Sequence, residues 1–406
     1  KRAVLNMGLR FDNSRATFPS LPLLDAQARP TGQRSAANND VYAWNTVSPR
    51  IGLNYQVTSN GSTVIKAHFG RYYKALEPNE YRGAVPSISP AFEFQVDALG
   101  NRTNFVQVAS NANLRIDPNM KAPYNDQFIV QLEQEVATNI GFQVNYVYKS
   151  GANYTGWSDI AGQYAMVPYV DNLGVDATGQ TLMLYRLISN PADRIFLQTN
   201  PDDMYMRYNG VTMALTKRMS RNWQAVLSGV FSRAEGRLGS SARFNPTTAQ
   251  SSQAGTFGRE AAGPNDFVNT EGRLIGDRPV VAKLQISYRL PYGVLVAANM
   301  QYQSGRLYAR QARIAGLGFP TPPIVNLEAP TGDRRVEAVK MIDLRAQKEF
   351  ALAHGQNVGL FLDLLNMTNS AQAEGVASTL GTASTFGVPT RFIPPRRAMF
   401  GVKYRF

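Results

Sequence analysis

The chain has 406 residues, no cysteine, and 42 basic against 29 acidic side chains, a formal charge of +13. Without cysteine there is no disulfide framework, thiolate nucleophile or cysteine metal site. The basic balance fits nucleic acid, but it fits Lys and Arg lining a channel or facing anionic head groups equally well. The mean hydropathy of −0.26 resembles that of a soluble protein, yet a barrel shows the same value because every second strand residue faces a polar interior.

The opening, Lys1-Arg2-Ala3-Val4-Leu5-Asn6, carries neither an initiator Met nor a signal peptide. It runs straight into alternation, as expected of a fragment whose upstream part is missing. Leu5, Met7, Leu9 and Phe11 share one face, while Asn6, Gly8, Arg10 and Asp12 share the other. The pattern returns after Arg50, with Ile51, Leu53, Tyr55 and Val57 against Gly52, Asn54 and Gln56. It continues with Ile65, Ala67 and Phe69 against Lys66, His68 and Gly70, and with Phe128, Val130 and Leu132 against Gln127, Gln131 and Glu133. Next, Phe142, Val144, Tyr146 and Tyr148 oppose Gln143, Asn145 and Lys149. Seven more stretches follow, near 209–219, 221–233, 279–290, 293–303, 340–350, 356–367 and 396–406. The cleanest sets Leu284, Ile286, Tyr288 and Leu290 against Lys283, Gln285, Ser287 and Arg289. Period-two segments of about ten residues predict about twelve membrane strands.

The connections carry as much information as the strands. Tight turns rich in Gly, Asn and Ser are predicted at Ser59-Asn60-Gly61, Thr138-Asn139, Ser220-Arg221-Asn222, Pro291-Tyr292-Gly293 and Ala353-His354-Gly355. Between them fall long connections, roughly 14–47, 75–125, 150–207, 234–277, 304–339 and 368–394. Strict alternation of short and long puts all long loops at one rim of an up-and-down barrel and all tight turns, with the C-terminus, at the other. Outer-membrane barrels have this asymmetry, with short turns in the periplasm. A large soluble β-protein is the competing reading, but it gives no reason for the alternation. Thr247–Gly263 and the Pro-rich Gly316–Pro330 are expected to be mobile loop tips.

The last strand places Phe400, Val402, Tyr404 and Phe406 on one face and Gly401, Lys403 and Arg405 on the other. Gly401, Tyr404 and the terminal Phe406 resemble the C-terminal signal by which outer-membrane barrels reach the barrel-assembly machinery, although Met399 stands where that signal prefers a polar residue. Further segments resemble the barrel of Oar-like TonB-dependent transporters: Ser48–Tyr55, Phe69–Tyr73, Tyr208–Val211 with Thr216-Lys217-Arg218, Gly276–Pro279, Gln303–Arg306 and Leu362–Asn366. The resemblance implies an all-β transmembrane antiparallel up-and-down barrel in which residues 1–406 form the C-terminal part of a 22-stranded barrel domain. It also implies a missing plug and a missing N-terminal segment that contacts TonB. The expected role is uptake of a solute across the Gram-negative outer membrane, among lipid and lipopolysaccharide, with no nucleic acid partner. A passive pore or autotransporter-like barrel and a surface-adhesion protein are the alternatives.

No phosphate-binding Gly-Lys-Ser/Thr loop or Gly-x-Ser-x-Gly nucleophile elbow occurs, so no enzyme activity and no cofactor are expected. His68 and His354 share no motif. Asp193 with Asp202-Asp203 is a weak calcium candidate that matches no EF-hand. Tyr72, Tyr73, Tyr146, Tyr148, Tyr288, Tyr302 and Tyr404 are candidates for interfacial aromatic girdles. Arg10, Lys66, Lys149, Lys283, Arg289, Lys403 and Arg405 are the candidate lumen-lining cations, suited to an anionic solute or to an acidic plug surface. The loops carry no pattern that names the solute.

Overall fold

A computed structural model describes residues 2–24, 29–77, 81, 85, 91–109, 113–202, 204–238 and 263–406. Its main sheet runs through twelve antiparallel strands, each hydrogen-bonded to the next in chain order. They are β1 (Ala3–Phe18), β2 (Asn38–Gln56), β3 (Thr63–Tyr73), β4 (Tyr124–Ala137), β5 (Ile140–Ala152) and β6 (Tyr205–Ser220). The series continues with β7 (Trp223–Arg237), β8 (Val280–Arg289), β9 (Val294–Gln303), β10 (Val339–Ala351), β11 (Asn357–Leu365) and β12 (Arg397–Arg405). A short strand, Glu271–Arg273, adds to β7 off this path. No described helix is long and apolar enough to cross a membrane.

The register aligns the apolar positions of neighbouring strands. Met7 pairs with Ile51, Ile51 with Phe69, and Phe69 with Phe128. Further along, Leu227 pairs with Leu284, Leu284 with Met300, and Met300 with Ile342. Leu362 then pairs with Phe400. Directly paired residues point to the same side, so one apolar face continues across all twelve strands. A one-residue slip in any strand would carry its apolar set to the polar side.

The tight turns fall where the sequence places them, and their backbones show why those residues are used. Asn139 (φ 67°) and Asn222 (φ 69°) take left-handed conformations, which Asn tolerates better than most residues. Tyr292-Gly293 and His354-Gly355 each pair a left-handed aromatic or imidazole residue with a left-handed glycine.

Two expectations are corrected here. The connection expected over 14–47 is shorter, because β1 continues to Phe18 and β2 begins at Asn38. With 19 residues, β2 extends over about 60 Å, twice the roughly 30 Å thickness of a bilayer's hydrocarbon core. Gly316–Pro330 is not a loose tip but part of a packed hairpin in which Val325 and Asn326 are fully buried. The other expected tip, Thr247–Gly263, lies outside the described residues apart from Gly263.

The cores sit at the loop rim. One cluster packs Ala16, Tyr42 and Trp44 of β1 and β2 against Met120 and Ala122 from the second loop. The Trp44 Nε1–H donates to the Met120 carbonyl at 2.9 Å. A larger one joins the hairpin Tyr164–Val170/Thr181–Leu187 to Gln311–Arg313/Ile324–Asn326 through Leu184, Ala312, Ile314, Leu317, Val325 and Leu327.

Candidate functional site

The face opposite the apolar band is polar, and it is built by the same register. Gly8 pairs with Arg50, and Arg50 with Gly70. Gln127 pairs with Lys149, Ser228 with Lys283, and Gly359 with Lys403. Arg10, Lys66, Lys149, Lys283, Arg289, Lys403 and Arg405 all fall on this face.

Several of these cations are already engaged. The Arg10 guanidinium donates to both carboxylate oxygens of Asp12, at 2.7–2.9 Å. Lys66 Nζ donates to Glu133 at 2.7 Å, and Gln131 donates to the same carboxylate. Arg405 lies 3.8 Å from Glu349, and Lys149 sits 5.9 Å from the Tyr208 ring. A further pair, Arg345 with Asp363, is bidentate at 2.6 Å. Part of the charge on this surface is therefore paired, within one strand for Arg10–Asp12 and across neighbouring strands for Lys66–Glu133 and Arg345–Asp363.

Among the described residues, recesses open on the polar face. One of about 540 Å³ spans β6 to β11 and includes Gln285, Asn299, Asp343, Arg345 and Asp363. A second, of about 480 Å³, crosses β1 to β4 and includes Asn6, Gly8, Arg50, Lys66, His68 and Gln131. A third, of about 270 Å³, lies nearer the loop rim between Arg10, Asp12, Trp44, Arg50, Tyr72 and Lys74. His68 Nε2 and the Tyr72 hydroxyl are 3.0 Å apart, leaning over Gly70, and the Arg50 guanidinium stacks on the Tyr72 ring at 4.8 Å.

Tyr72 thus belongs to the polar face and not to an outer girdle. Tyr146, Tyr288, Tyr302 and Tyr404 are exposed on the apolar face. His354 occupies its turn with φ 59°. Asp203 of the calcium candidate lies outside the described residues, and no group of three metal-ligating side chains occurs among those described.

Above the rim, the loops are tied into a crown. Arg310 and Asp171, both fully buried, meet at 2.6 Å, and Arg310 also donates to the Leu173 and Val175 carbonyls. Burial opposes ionisation of Asp171, but hydrogen bonds from Arg310 and Thr178 outweigh it and hold its pKa below the ordinary 3.8. Asp159 is held low in the same way, burial being overcome by hydrogen bonds from Tyr164, Arg194 and the Gly162 amide. Asn265 exchanges two hydrogen bonds with the Tyr185 backbone, and Asn326 two with Asn269. Gln311 links Asn326 to Thr379. Four successive loops are joined by these contacts.

The sequence pattern did not single out Arg50, Asp171 or Arg310. Only the run Ser48-Pro49-Arg50 pointed near the first of them.

A family model described as outer membrane beta barrel domain matches residues 3–310. The chain belongs to this family. It is an outer-membrane protein, and its strands cross that membrane. Comparison with curated proteins gives no match. Among solved structures, this barrel is similar to the outer membrane transporter YddB from Escherichia coli, with 13% identity and a TM-score of 0.52 over 89% of this chain and 41% of that one. It is also similar to the siderophore receptor PiuA from Acinetobacter baumannii, with 12% identity and a TM-score of 0.50 over 99% of this chain and 40% of that one. A third similar structure is the ferric citrate transporter FecA, with 10% identity and a TM-score of 0.50 over 100% and 43%. The barrel spans roughly two fifths of the length of these proteins. At these identities the likeness is one of fold.

Proposed function

We propose that this chain supplies the C-terminal strands of a larger TonB-dependent outer-membrane transporter. In this reading the crown faces outward, the tight turns and C-terminus face the periplasm, and the polar face lines a lumen filled by a plug from elsewhere in the protein. The observation that carries the reading is the pair of open edges. Among the described residues β1 pairs only with β2, and β12 only with β11. A strand edge facing hydrocarbon leaves backbone groups unsatisfied at several kcal/mol each, so a lipid-embedded sheet has to close. Closure with further strands gives a wide barrel, and a wide barrel needs a filled lumen to stay selective. The similar structures are named for a siderophore and ferric citrate, which favours a metal chelate as the solute.

The test is uptake by a strain lacking the full gene, complemented with the wild-type protein, using ferric siderophores and ferric citrate. Uptake that collapses on adding a protonophore is expected. Uptake that ignores the protonophore would establish a passive pore instead.

A second reading, surface adhesion, is favoured by the exposed apolar side chains Met166, Val170 and Met183 on the crown hairpin. Loss of cell attachment with unchanged uptake in the deletion strain would decide for it.

A further inference from the structure

Arg50 differs from the other cations of the polar face in its surroundings. Its two direct cross-strand neighbours are Gly8 on β1 and Gly70 on β3, and Gly52 follows two residues along its own strand. Three glycines leave bare backbone around a long, exposed side chain. A Cβ at Gly8 would meet nothing within 4 Å, and one at Gly52 would find only ordinary contacts at 3.7–3.8 Å. At Gly70 the space is taken by Tyr72 and His68, which lean inward from the same strand. The result is the recess of about 480 Å³, and Arg50 lines both it and the recess of about 270 Å³ toward the loop rim.

The charges around it are committed elsewhere. Asp12 is held by Arg10, Glu133 by Lys66, and Glu77 lies 3.9 Å from Lys74. Among the described residues Arg50 faces no carboxylate at ion-pair distance, and its recorded partner is the Tyr72 ring. With its Cζ 4.8 Å from the Tyr72 ring centroid, the guanidinium spends none of its N–H donors on that contact, and their fork matches a carboxylate bidentately. The His68–Tyr72 pair adds polar groups beside it.

We propose that Arg50 is a carboxylate-binding subsite on the barrel wall, where it lines two recesses. The inference rests on the transporter reading, because the carboxylate comes either from a solute passing the wall or from an acidic side chain of the plug. The chemistry is the same in both cases.

The experiment is arginine labelling of the full-length protein in detergent with phenylglyoxal, mapped by mass spectrometry, with Arg218 as the reference. Citrate is the probe, compared with chloride at matched ionic strength. If a solute uses the site, Arg50 labels readily and citrate slows it at least tenfold, while Arg218 is unchanged. If the plug uses it, Arg50 labels slowly without citrate and recovers at least fivefold when NaCl is raised from 50 to 500 mM, as screening of an ion pair requires. Ready labelling that citrate leaves unchanged overturns the proposal, and so does slow labelling that salt leaves unchanged. Gly8→Leu, whose Cβ would meet nothing within 4 Å, should cancel the citrate effect in a barrel that still assembles. Protonophore-sensitive uptake with an unprotected Arg50 would remove the subsite and leave the transporter. A citrate-protected Arg50 without energised uptake would do the reverse.

Discussion

Arg310 and Asp171 lie 139 residues apart in the chain, yet their charged groups meet at 2.6 Å in the middle of the crown. Each is almost wholly removed from solvent. Removing one partner of such a pair leaves the other charge buried and alone, at about 3–5 kcal/mol. Arg310→Ala is therefore expected to open 164–187 and 311–326 together, as a joint rise in amide hydrogen exchange. An Arg310→Met, Asp171→Leu double variant should recover much of the protection, because an apolar pair of similar volume costs little. Exchange that rises in one hairpin alone would show that the clasp does not join the two loops.

Acidity should act on the same contact. Asp171 and Asp159 both have folded pKa values below the ordinary 3.8. For a depressed carboxylate, the stabilisation is fully present above the unfolded pKa and disappears as pH falls through the folded one. The crown should hold its protease resistance from neutral pH to about 5 and lose it progressively below the ordinary carboxylate range. Asp171→Asn should remove part of that pH dependence. A crown as resistant at strongly acidic pH as at neutral pH would refute the linkage.

Gly401 has a packing role beside the C-terminal pattern it belongs to. It pairs with Phe361, and a Cβ at Gly401 would lie 2.1 Å from the Phe361 ring. Gly401→Ala should therefore destabilise the final strand pair by about 1–3 kcal/mol, the usual cost of overpacking. Folding is read by the shift in gel mobility between heated and unheated barrel. Phe361→Leu in the same chain should restore it by freeing the space. If the double variant assembles no better than Gly401→Ala, recognition by the assembly machinery is the stronger constraint on this glycine.

The strands were legible where one face meets lipid and the other stays polar, as in Leu284, Ile286 and Tyr288 against Lys283, Gln285 and Ser287. The loop-side half of β2 was not, and the reason is physical. There the inward positions are Tyr42 and Trp44, covered by Met120 and Ala122, while Asn45 faces outward. The apolar parity is inverted, so the pattern looked like loop. The crown was illegible for a different reason: its contacts join separate loops, as far apart as the 139 positions between Asp171 and Arg310, and no local period records them. Arg50 stands between these cases. Its parity could be read, but the glycines that distinguish it belong to neighbouring strands and become its neighbours only once the register is known.

The two faces should respond oppositely to the same substitution. Leu284 lies mid-strand on the apolar face, paired with Leu227 and Met300. Gln285 is next to it in sequence and points to the polar side, opposite Val226 and Asn299. An arginine on the lipid face near the midplane costs about 2–4 kcal/mol, whereas one facing a watery or polar interior can be solvated and paired. Leu284→Arg should thus lower the denaturant midpoint of the barrel folded into lipid vesicles, by an amount equivalent to that cost. Gln285→Arg has Asp343 on the wall of the same recess as a candidate partner, so its midpoint should move little. Equal losses for both variants would mean that the register does not set which face meets lipid. Losses in the reverse order would invert the barrel, putting the polar face and its recesses toward the membrane.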